Sequence, residues 1–208
     1  MTERLTAHDW IDFALTTLAD EGVSALKADV LARRLGVSRG SFYWHFRDLG
    51  DFHARVIEHW KQIATERIIA DIERYDVGEE RLDALARHGF GHDVVLEVRM
   101  RAWADNNAEV ARVLGDIDRR RREYMEQMLV EAGIPQSLAA TRAQLFYWTY
   151  LGAALSRSKL TGERLDRIVA ELKVSALSVN RRKRSTRLTK NGSSARRSRE
   201  SKKANEPG

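Results

Sequence analysis

Between Val30 and Phe46 the chain reads VLARRLGVSRGSFYWHF, which gathers arginine, tyrosine, tryptophan and histidine on one short segment. Leu31, Leu35, Val37, Phe42 and Phe46 are spaced to build a small apolar core, leaving Arg39, Gly40, Tyr43, Trp44 and His45 outside. A tyrosine hydroxyl and an imidazole on a solvated helix can hold phosphate oxygens. Arg39, in the first turn, can reach a guanine edge or a phosphate. The same residues carry a competing motif. Gly36-Val37-Ser38-Arg39-Gly40 fits G-x-S-x-G, which would make Ser38 a hydrolase nucleophile, but that motif needs a strand before it. The preceding ADVLARRL has helical spacing, so Ser38 is read as a helix cap. His88 and His92, four apart and followed by Asp93, could share a metal on one helical face. Gly89 and Gly91 argue against a rigid helix there, and the pair is read as a helix end or pocket lining. No cofactor, metal or catalytic residue is called for.

These residues need short helices to position them. The spacing predicts helices over about 28–35 and 39–45, joined by a turn in which Gly36 takes a positive φ; this is a helix-turn-helix. A first helix over 6–21 carries Ile11, Leu15 and Leu18 on one stripe, with Thr6 and Asp9 at capping-box spacing and Gly22 as its stop. From Asp48 to about Tyr75 the pattern through Phe52, Val56, Trp60, Ile63 and Ile68 reads as one continuous helix, roughly 40 Å long. Further helices are expected near 79–88, 92–105, 107–132, 136–158 and 162–179. With only Pro135 and Pro207 to interrupt helices, and no alternating β-branched runs, the fold class is all-α.

The 208 residues carry a net charge of +6, which divides unevenly. Residues 181–208 hold eleven Lys and Arg against two Glu, a net of +9, leaving 25 bases against 28 acids, a net of −3, in the rest. The tail has hardly any large apolar residue, so it is expected to be disordered. The chain has no cysteine, which excludes disulfides, thiolate zinc sites and cysteine nucleophiles. No apolar run is long enough to span a membrane, and MTERLTAHDWIDF lacks the features of a signal peptide, so the expected location is cytoplasmic with no membrane partner.

Residues 5–52 resemble the N-terminal domain of the tetracycline-repressor (TetR) family. The resemblance rests on Leu31-Ala32, Leu35-Gly36-Val37-Ser38, Gly40-Ser41-Phe42-Tyr43, His45-Phe46 and Phe52. It implies that Tyr43 and His45 contact phosphates and that Arg39 and Gly40 face bases. Lys27, Ser38, Ser41 and Trp44 complete the implied DNA-binding set. Lys27 stands where the second helix usually begins with Thr or Ser. Leu49 replaces the lysine that many members use on phosphate.

Further along, His88, Phe90, Met100, Trp103, Phe146, Tyr147 and Tyr150 could line an apolar cavity with polar tips, the region that holds an inducing ligand in the resembled family. Leu145, Trp148, Gly152 and Leu155 follow a 3-4-3 spacing, and Leu165, Ile168, Leu172 and Ala176 nearly do; both stripes are read as a dimer interface. Arg119 to Arg122 are read as a solvated, ion-paired face. The expected organisation is a DNA-binding domain over 1–50, a ligand-binding and dimerisation domain over 51–179, and the basic tail over 180–208. The whole describes a homodimeric repressor that a small molecule releases from a palindromic double-stranded operator. The alternatives are a ligand-independent or activating regulator, a helical-bundle enzyme, and a protein that compacts nucleic acid through its tail.

Overall fold

The computed structural model describes residues 5–92, 94–156 and 160–178, and the basic tail falls outside them. Helix α1 (Ala7–Glu21) opens with the expected reciprocal cap. The Asp9 amide donates to Thr6 Oγ1 (3.2 Å), and the Thr6 amide donates back to the Asp9 carboxylate (2.7 Å). Trp10, Ala14 and Leu18 line its fully buried face. Helices α2 (Ala28–Arg34) and α3 (Arg39–His45) follow, then α4 (Leu49–Lys61), which Asp48 caps through the Asp51 amide at 2.7 Å.

The long helix expected from Asp48 to Tyr75 is interrupted. Gln62–Glu66 forms a π turn before α5 (Arg67–Ile72). The cause lies elsewhere in the chain: the Arg121 guanidinium donates to the Ala64 carbonyl (2.9 Å) and to Thr65 Oγ1 (3.2 Å), a side chain inserted into the helical ladder.

The second half holds α6 (Glu79–Gly91), α7 (Val95–Ala104), α8 (Ala108–Glu131), α9 (Gln136–Leu155) and α10 (Gly162–Leu177). Helix α6 runs through Gly89 and Gly91 instead of ending before them. A Cβ at Gly89 would lie 3.4 Å from the Tyr150 ring and one at Gly91 would lie 3.2 Å from Leu165, so both glycines permit close helix packing. Among the described residues all regular structure is helical. One apolar cluster joins Trp10 and Leu18 of α1, Phe42 of α3, Phe52, Val56 and Trp60 of α4, Met100 and Trp103 of α7, and Ile117 of α8. The core therefore continues past residue 50 without a break.

Candidate nucleic-acid interface and cavity

Helix α2 ends in a Schellman motif. The Val37 amide reaches the Ala32 carbonyl (3.0 Å) and the Gly36 amide the Arg33 carbonyl (3.3 Å), with Gly36 at φ +68°. This turn sets the angle between α2 and α3. Phe42 is fully buried against the edges of Trp10 (5.5 Å) and Phe52 (5.1 Å) and beside Phe46 (5.0 Å), so aromatic packing fixes the roll of α3. Leu35 and Val37 pack only partly buried against this cluster.

Outward stand Arg39, Gly40, Tyr43 and Trp44, the last 70% exposed. Arg39 Nη2 donates to the Tyr43 hydroxyl (3.0 Å), and its guanidinium lies 5.4 Å from that ring's centroid, which aligns the two side chains on one face. Ser41 is half-buried. Ser38 occupies the N-cap position, but its side chain makes no capping bond; its carbonyl accepts the Ser41 amide at 3.0 Å. Lys27 precedes α2 with an exposed side chain and likewise gives no side-chain cap.

His45 departs from the expectation. It is half-buried beside Phe46, and its Nε2 is enclosed without a hydrogen-bond partner, because the last turn of α3 folds back onto the aromatic core. Arg47, in contrast, is an outward cation that was not among the expected contacts. It lies just before α4, with a side chain 84% exposed, close to where Leu49 offers no charge. Its proximity to a predicted helix start was the only available signal.

A cavity of about 350 Å³ lies between α4, the π turn, α5, α6, α7, α8 and α9. Of the expected lining, His88, Phe146, Tyr147 and Tyr150 reach it. Three residues do not. Met100 and Trp103 are buried in the cluster beneath α1, with the Trp103 ring against the edge of His53 at 5.0 Å. Phe90 packs behind the wall, on Phe146 (5.8 Å) and Tyr150 (6.3 Å). Their helical spacing marked them as inward-facing, but two inward directions exist here. Most of the remaining wall is apolar, with Trp60, Ile63, Ile68, Leu85, Leu96 and Met125.

The polar part of the wall is an ion-pair network that sequence reasoning missed. Glu97, only 5% exposed, accepts from Arg101 Nε (2.8 Å) and Arg121 Nη1 (3.0 Å). Arg101 also donates to Asp118 Oδ1 (2.7 Å), to which the Tyr147 hydroxyl donates at 2.6 Å. Arg121 therefore turns inward out of the run read as solvated, while Arg119 pairs with Asp116 and Arg122 with Gln144 (2.8 Å). Burial opposes the charge on Arg121, yet Glu97 together with Tyr150 and Tyr147 outweighs it and holds the guanidinium above its ordinary range. Burial, then Glu97, push the Tyr150 hydroxyl up to about 12 against the pull of Arg121. Burial and the neighbouring His92 hold His88 below the usual imidazole value. The rings of His88 and His92 stack at 4.4 Å, and His92 Nδ1 is already engaged with the His88 carbonyl at 3.0 Å. Asp93 lies outside the described residues.

Helix α9 presents Leu145, Trp148 (61% exposed), Gly152 and Leu155 outward, so among the described residues that stripe has no cover. Leu165, Ile168 and Leu172 behave differently. They pack partly buried against Ala86, Phe90 and Val169 of their own chain, because α10 turns its apolar stripe towards α6 and α9.

Residues 11–48 match the family model described as bacterial regulatory proteins, tetR family. The HTH-type transcriptional regulator AcrR of Shigella flexneri is 38% identical over 53 residues, which make up 26% of this chain and 25% of that protein. Matching structures include a Rhodococcus protein assigned to the TetR family of transcriptional regulators (19% identity, TM-score 0.62), covering 83% of this chain and 99% of the other. Another is the transcriptional regulator FadR of Bacillus subtilis in complex with stearoyl-CoA (17% identity, TM-score 0.60), covering 83% and 98%. At these identities the structures establish a shared fold across both halves of the chain.

Proposed function

Through its N-terminal domain the chain belongs to the TetR family of bacterial regulatory proteins, and from that premise we propose a homodimeric repressor released from DNA by a small apolar effector. The observation that carries this reading is α3, whose buried Phe42 edge fixes Arg39, Tyr43 and Trp44 in an outward row. Two such helices enter successive major grooves of a palindrome, centred about 34–36 Å apart. Arg39 reads a base edge, and Tyr43, Lys27 and Arg47 hold phosphates. Arg47 supplies the anchor that Leu49 cannot. The uncovered face of α9 receives a second copy.

The cavity supports an uncharged effector. Arg121 is neutralised by Glu97, and Glu97 already accepts from two guanidinium groups, so a carboxylate entering the cavity would have to displace a buried partner. The π turn places Ile63, Ala64 and Thr65 of the helix that leaves the DNA-binding domain directly in the cavity wall. An effector there pushes on the same helix that carries Phe52. To release DNA tenfold it must favour the DNA-incompetent state by about 1.4 kcal/mol.

Selection of genomic fragments by the purified protein tests the reading, followed by gel shifts against a panel of neutral and anionic apolar compounds. A palindromic site released by a neutral compound is the expected result. Glu97→Gln should widen the response to anionic compounds, because Arg121 is then uncompensated. Binding to random DNA as tight as to any selected fragment would refute the repressor.

A further inference from the structure

The geometry points to a site for a divalent transition-metal ion of the zinc class, built from His8 and Asp12 of α1 and His59 of α4. His8 and Asp12 stand one helical turn apart, on the same face of α1. His59, in the last turn of α4, meets them from the facing helix. The Asp12 carboxylate bridges the two rings, with Oδ2 3.3 Å from His8 Nε2 and Oδ1 3.1 Å from His59 Nε2. The rings meet edge to face at 4.9 Å, and one ligand atom from each of the three residues lies within 4.8 Å of the others. Among the described residues no other group of three meets that test.

The donor set decides the class of ion. Two imidazoles and a carboxylate suit Zn²⁺ and its borderline neighbours Co²⁺, Ni²⁺ and Cu²⁺, whereas Mg²⁺ and Ca²⁺ prefer oxygen ligands alone. A tetrahedral zinc with bonds of about 2.0–2.2 Å sets its ligand atoms about 3.3–3.5 Å apart. Each imidazole already has one Asp12 oxygen near that spacing, His8 on Oδ2 and His59 on Oδ1. Rotation of His8 and of the Asp12 carboxylate, whose side chains are 63% and 54% exposed, brings both rings onto one oxygen. Both Nε2 atoms face the same carboxylate, so a metal replaces hydrogen-bonding protons without turning either ring away. Three protein ligands leave a fourth position for water. The ion would tie α1, which packs Trp10 on the recognition helix, to the end of α4 just before the π turn. The site is independent of the effector cavity and of any reading of DNA.

The test uses tag-free, full-length protein freed of metal with a chelator. Calorimetric titration with ZnCl₂ should give one equivalent per chain and a raised Tm. Titration with CoCl₂ should give intense tetrahedral absorption that saturates at one equivalent. His8→Gln and His59→Gln should each weaken zinc binding at least about tenfold, the loss usual even for a residue that merely supports a ligand. Replacing His88 and His92 together by Gln should leave the stoichiometry unchanged. No zinc uptake at micromolar metal, wild-type affinity in His8→Gln or His59→Gln, or loss of binding in the His88/His92 variant would overturn the site. The wild-type cobalt spectrum decides without any variant, since the weak absorption of the hydrated ion would equally exclude it.

Discussion

Arg39 and Tyr43 touch each other as well as facing outward, so their substitutions should not behave independently. Arg39→Ala should flatten discrimination at one base pair per half-site by about 1–3 kcal/mol. Tyr43→Phe should weaken all operator variants alike, with an added, smaller loss at the Arg39 base pair because the 3.0 Å bond that steadies the guanidinium is gone. Gel shifts on single-base variants, with the double mutant to close the cycle, measure both. Tyr150 supplies a pH signature. Its hydroxyl titrates near 12 in the fold and near 10 in the unfolded chain, so the folded state keeps the proton longer. The resulting stability is fully present below pH 10 and is lost as pH rises through 12. Tyr150→Phe should therefore flatten the alkaline limb of stability between those values, read by urea unfolding at a series of pH values. An unchanged limb would show that Tyr150 ionises as freely folded as unfolded.

At the scale of elements, α7 touches both halves. Glu97 sits in the cavity wall, Met100 and Trp103 pack beneath α1 and α4, and Arg99 caps the end of α1. Arg99 Nε donates to the Ala19 carbonyl (3.1 Å) and Nη2 to the Asp20 carbonyl (3.2 Å). No basic residue of α1 itself serves that last turn, so a cation from another helix meets its negative end. Arg99→Ala should cost about 1–2 kcal/mol of stability. It should also reduce the factor by which an effector weakens DNA binding, while leaving effector affinity nearly unchanged. Thermal unfolding and gel shifts with and without effector separate the two effects.

For the whole molecule, the uncovered stripe on α9 is the decisive surface. Leu145 is more than half exposed in the single chain, so Leu145→Asp places no charge in the chain's own core. The expected result is a folded monomer that no longer holds a two-half-site operator. Sedimentation at micromolar protein, with circular dichroism for the fold, checks this; a persisting dimer would move the interface elsewhere. A prediction for the basic tail belongs to the same scale. Each phosphate it neutralised would add about −0.9 to the slope of log affinity against log salt. Truncation after Asn180 should flatten that slope and keep the ranking of operators. A slope equal to that of the full chain would exclude the tail from DNA.

The features legible from the order of residues alone are local. The Thr6–Asp9 cap, the positive φ of Gly36 and the inward placement of Phe42 and Phe46 follow from neighbours within a turn or two, where capping and the 3.6-residue period operate. The period also found the inward faces of α6, α7 and α9. What it could not find was which partner waits on that side. Met100 and Trp103 face the α1 joint while Tyr147 faces the cavity, and Leu165 faces α6 while Leu145 stands exposed. Arg119 and Arg121 stand two apart in one basic run, yet only Arg121 is drawn inward, because Glu97 arrives beside it from another helix. The same guanidinium breaks α4 into a π turn where local propensity had favoured a continuous helix. A charge is buried only where a partner from a distant segment compensates its desolvation. That pairing exists only once the helices have packed, so tertiary structure alone decided the polar wall of the cavity.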